Sequence, residues 1–120
     1  MAISINELLA KRDEIKNKKK ALYDLETSIG TITIKTPSKA LIASAMDMEQ
    51  RGDEYLIMNS VVEPNLKSQE LLDGFNCFEP LDIVSEVFEV GEVSRLANAI
   101  MKAAGFIGDI PAKLHEEVKN

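Results

Sequence analysis

The 120-residue chain has one cysteine, one histidine and no tryptophan. A single cysteine, Cys77, excludes an intrachain disulfide and fits a reducing compartment. One cysteine and one histidine also leave a zinc site short of ligands unless carboxylates complete it. His115 lies in a polar C-terminal stretch and reads as solvent-exposed. Cys77, beside Phe78, reads as a small buried hydrophobe rather than a nucleophile. No GxxxxGK(S/T) and no GxGxxG after a strand is present, so no phosphate-binding loop is predicted. No apolar run approaches the roughly 20 residues of a transmembrane helix. The N-terminus lacks the basic-then-apolar order of a signal peptide. A cytoplasmic protein is expected, with no catalytic, cofactor-binding or metal-binding residues.

Aromatics are scarce as well, at 5%. The core must be built from Leu, Ile, Val, Ala and Met. A hydrophobic content of 45% is enough for a globular domain and argues against disorder. Charge is uneven. Residues 1–20 carry six basic and three acidic side chains, a net +3, within a chain of net −6. The remainder is therefore −9, and an acidic body repels nucleic acid and anionic membrane. The basic positions 11, 12, 16, 18, 19 and 20 spread around a helix and lack interleaved aromatics. They read as a solvated face, which weighs against nucleic acid as a partner.

What is present is helical periodicity, repeatedly interrupted. Ser4-Ile5-Asn6-Glu7 has the form of a capping box, opening a charged helix over 4–20 with a thin stripe of Ile5, Leu8, Leu9, Ile15 and Leu22 that is expected to bury one narrow face. Thr31 and Thr33 alternate with Ile32 and Ile34, which predicts a hairpin of 23–27 with 31–35. Thr36 is expected to cap the next helix, with Pro37 at its first position. Leu41, Ile42, Ala45 and Met46 form that helix's apolar face. Gly52 suits a left-handed helix stop, and Asp53 is expected to cap a helix that carries Tyr55, Leu56, Met58, Val61 and Val62. Pro64 ends that helix, because its ring disfavours helical geometry at Glu63. Ser68 caps a short helix stopped by Gly74, and Pro80 starts another. Gly91 punctuates. Val93, Leu96, Ala97, Ile100, Met101 and Ala104 then give the most regular stripe in the chain, stopped by Gly105. The fold class is mainly α: a compact bundle of short helices with one small hairpin near residues 23–35. A single domain is expected over 1–106, with 107–120 as a peripheral tail.

Carboxylates such as Glu63, Asp82, Glu86, Glu89 and Glu92 read as solvated helix faces. Met46, Met48, Met58 and Met101 fall in predicted helices. Methionine is adaptable and suits surfaces that accept varied apolar partners, although core packing is its commoner role. The residues singled out for partner binding are Met46, Met58, Pro64, Leu66, Leu96, Ile100 and Met101.

Three stretches in order, "GTITIKTPSKALIASAMDME" (30–49), "GDEYLIMNSVVEPNL" (52–66) and "CFEPLDIVSEVFEVGEVSRLANAIMKAAGF" (77–106), resemble the XkdN-like tail assembly chaperones of contractile-tailed phages, defective prophages and phage-tail-like bacteriocins. The resemblance covers about residues 5–106. It implies a small non-enzymatic protein, made in the bacterial cytoplasm, that binds the tape measure protein and keeps it soluble. It implies help in bringing tail tube subunits to that partner, and displacement from the mature particle. Relatives are often made in two lengths by ribosomal frameshifting. Self-association stays open. The alternatives are a structural tail or baseplate component retained in the particle and a small nucleic-acid-binding regulator.

Overall fold

The computed structural model describes residues 1–106. The reading of 107–120 as a peripheral tail, His115 included, lies outside the described residues. The capping box forms as read: the Ser4 hydroxyl accepts from the Glu7 amide at 3.1 Å, and the Glu7 carboxylate accepts from the Ser4 amide at 3.4 Å. The expected single helix is two segments, α1 (Ile5–Ala10) and α2 (Arg12–Lys19), joined at Lys11. Residues 1–20 are all exposed, so the stripe expected to bury a narrow face lies open.

The hairpin forms from β1 (Leu22–Thr27) and β2 (Gly30–Lys35), which pair from Leu22↔Lys35 to Thr27↔Gly30. Gly30 takes a φ of +121° as the chain leaves the turn, a conformation that favours glycine. The Thr27 hydroxyl donates to the Gly30 carbonyl at 2.6 Å. On one face Ile32 and Ile34 are buried, with Tyr23 and Leu25 packed against the core.

α3 (Lys39–Asp47) is capped by Ser38, whose hydroxyl accepts from the Leu41 amide at 3.1 Å. Thr36 is not the cap, and Pro37 precedes the helix. The reason is that β2 runs to Lys35, and a residue before proline prefers extended geometry. α4 (Gly52–Ser60) follows a short link. Here Arg51, not Gly52, takes the left-handed conformation (φ 68°), and Asp53 lies inside the first turn rather than at the cap. Gly52 is needed for a different reason: a Cβ on it would lie 2.4 Å from the Ala45 carbonyl oxygen of α3.

α4 stops at Ser60. Val61 and Val62, expected on helix faces, lie in a third strand, β3 (Val61–Glu63), antiparallel to β2. The sheet order is β1-β2-β3. Pro64 therefore ends a strand, after a cis Glu63–Pro64 peptide bond. Tertiary pairing overrides the local stripe here, because Ile34↔Val61 continues a buried sheet face.

α5 (Gln69–Gly74) includes Gly74, and Asn76 takes the positive φ beyond it. α6 (Asp82–Val87) begins two residues after Pro80. α7 (Val90–Ala103) contains Gly91 as its second residue, so Gly91 does not interrupt the chain. Gly105 follows with φ +98°. α4 packs on α3, α6 and α7. Ile57, Leu66, Ile83, Val84 and Ile100 are fully enclosed in the resulting core.

Candidate partner-binding groove

The groove is built where α3 ends and α4 begins, facing α7. Packing α3, α4 and α7 together needs close backbone approach, which Gly52 allows. Arg51 fixes the link. Its guanidinium reaches Glu79 at 3.0 Å and Asp82 at 2.9 Å, tying the link to the start of α6. The Glu79 amide, then Arg51, hold the Asp82 carboxyl below its usual range.

Between these elements opens a pocket of about 370 Å³. Buried Ile42, Leu56 and Ala97 are among its lining residues, with the half-buried thioethers Met48 and Met101. Met46 stands at its edge, 74% exposed. Glu49, Asp53 and Glu54 also line it. Its lining cation, Arg51, is engaged by Glu79 and Asp82, so the free charge is negative. An open lining that mixes apolar side chains with carboxylates of one sign can take an amphipathic helix whose apolar face is flanked by basic residues.

Of the residues expected to bind a partner, the structure brings Met46 and Met101 together here. Leu66, Leu96, Ile100 and Met58 are buried in the core. Pro64 is exposed after β3 and does not line the groove. Met58 lines a second pocket with Met48, Tyr55 and Leu81. Met48 lines both pockets. Sequence reasoning placed Met48 inside a helix; it is the residue just past α3, extended at φ −75°, ψ 129°. Its signal was position alone, three residues before a left-handed turn.

Glu92 is a second correction. Its spacing among Glu86 and Glu89 predicts a solvated face, yet it is 7% exposed. The Ser28 amide donates to Glu92 Oε2 at 2.7 Å and the Ser28 hydroxyl to Oε1 at 2.6 Å. These bonds pin the hairpin turn to the first turn of α7 and hold the Glu92 carboxyl below its usual range.

Among the described residues no group of three or more His, Cys, Asp or Glu side chains is placed to hold a metal. Burial, then the charges of Asp82 and Glu86, push the Cys77 thiol above its usual value, which disfavours the nucleophilic thiolate. No described helix is long and apolar enough to cross a membrane.

Comparison with curated proteins and with solved structures finds no match. A family model described as phage XkdN-like tail assembly chaperone protein matches residues 19–119. The match begins at the end of α2, so it leaves out nearly all of the exposed N-terminal arm, and it runs past residue 106, where the resemblance read from the sequence ends. The chain belongs to the phage XkdN-like tail assembly chaperones, and its role is in phage tail assembly.

Proposed function

We propose that the protein is a non-catalytic chaperone for the tape measure protein, and that an amphipathic helix of that partner lies in the groove between the α3–α4 link and α7. The observation that carries this is Met46, exposed beside half-buried Met48 and Met101 over a closed apolar floor. Flexible thioethers adapt to varied apolar side chains, so one groove serves successive segments of a long repetitive client. The three carboxylates at the groove favour client segments with Lys or Arg beside the apolar stripe. An open groove of this size gives moderate affinity, which suits a partner that must be released as tube subunits arrive. Recruiting those tail tube subunits is the second half of the proposed role. The work takes place in the host cytoplasm, and the chaperone is left out of the mature particle.

Co-expression tests this reading. The tape measure protein should be soluble with the chaperone and aggregate without it, and the two should purify together at moderate salt. Equal solubility of the tape measure protein alone, or the chaperone found in stoichiometric amount in purified particles, contradicts it.

A further inference from the structure

We infer that the exposed N-terminal arm of one copy occupies the acidic, methionine-lined groove of a second copy, so that the free chaperone self-associates head to tail. The inference takes the groove from the reading above but not its client.

The arm has the chemistry that the groove calls for. At about 100° per residue, Ile5, Leu8 and Leu9 share one face of α1, and Ile15 shares one face of α2 with Arg12, Lys16 and Lys19. All of these side chains are exposed. Ser4 and Glu7 close a complete capping box, which favours the first turn of the arm's helix.

Charge complementarity selects the partner. Residues 1–20 carry +3, whereas residues 21–106 carry fourteen carboxylates against six cationic side chains, a net −8. At the groove this imbalance is local: Glu49, Asp53 and Glu54 line it, while Arg51 is already paired with Glu79 and Asp82. The chain thus carries both halves of a complementary pair.

The arm is not placed to serve its own groove. Only Lys20 and Ala21 separate α2 from β1, and their amides donate to Asn17 and Lys18 carbonyls, continuing the helical turn. Folding back would require unwinding α2 or freeing β1 from the sheet. A second copy faces no such constraint. Because arm and groove are different surfaces, the contact is heterologous and adds copies in a row. It also competes with the client, so the arm keeps the groove covered until the client arrives. The arm lies outside the residues matched to the family, which places this device beside the shared role rather than within it.

Sedimentation equilibrium on the full-length chain, without client, tests this. The wild-type average mass should climb above the 13.3 kDa monomer as concentration rises, and should fall back at high salt. Leu8→Asp combined with Ile15→Asp, in the arm, should be monomeric with unchanged circular dichroism outside the arm's small contribution. Met46→Lys, at the groove, should also be monomeric. Mixing the two variants should restore association, since one supplies a groove and the other an arm. A wild-type chain monomeric up to millimolar concentration overturns the inference. So does an arm variant that associates like wild type, or a mixture that stays monomeric. Tape measure binding by a wild-type chain that never self-associates would sink this inference and leave the chaperone reading standing.

Discussion

Glu92 shows how one side chain can join two parts of the fold. Its carboxylate takes both Ser28 donors across 64 positions of sequence. Replacing it with Ala should cost about 0.5–1.5 kcal/mol, because the exposed Ser28 loses a charged acceptor for its amide and hydroxyl but can turn both to water. Urea unfolding of the variant at neutral pH checks this. The pH dependence follows from the sign of the shift. A folded-state pKa below the 4.5 of a free glutamate gives stabilisation that is complete above 4.5 and is lost as pH falls through the folded value. Asp82 acts in the same direction from 3.8 downward. Wild-type stability should therefore fall on acidification below about pH 4.5, and Glu92→Gln should flatten part of that fall. Leu96, buried on α7, should cost about 2–5 kcal/mol on truncation to Ala, measured by the same urea unfolding. Leu96 was legible because its stripe repeats at helical spacing. Glu92 was not, because a carboxylate among Glu86 and Glu89 reads as solvent-facing until its distant partner is known.

At the scale of elements, the glycines separate spacing from conformation. Gly52→Ala forces a Cβ against the Ala45 backbone, so α3 and α4 must move apart at the groove. The loss should be on the order of 1–3 kcal/mol, as for overpacking elsewhere. Gly91→Ala meets nothing within 4 Å on α7 and should be neutral or stabilise by up to about 1 kcal/mol, since alanine is the better helix former. Paired thermal melts distinguish the two; equal effects would contradict the close approach of α3 and α4. Helices with long stripes, such as α7, and the alternating Thr-Ile strand were legible in the sequence. β3 was not. Val61-Val62-Glu63 is too short to show a period of two, and it extends because Ile34 waits across from Val61. The capping site of α3 was off by two residues, since Thr36 and Ser38 are both good caps and only the length of β2 decides between them.

Across the whole molecule, the acidic body with its open groove and the basic arm beside the hairpin divide the chain into a receiver and a ligand-like segment. Family membership was legible from the order of several weak stretches over residues 30–106. The groove was legible only in part: Met46 and Met101 carry it, whereas Leu66, Leu96 and Ile100 support the core. Periodicity marks which residues are apolar, and the packing of α3, α4 and α7 decides which of them remain within reach of a partner. The most direct measurement is the affinity of tape measure segments for the wild-type chain, for Met46→Lys and for Phe78→Lys. Phe78 is the control, because it is 96% exposed and does not line the groove. Met46→Lys should weaken binding about tenfold or more, the loss expected when a contact worth about 1.4 kcal/mol or more is removed from an interface, while Phe78→Lys should bind as wild type does. Wild-type affinity in Met46→Lys, with binding lost instead in Phe78→Lys, would contradict the assignment of the groove.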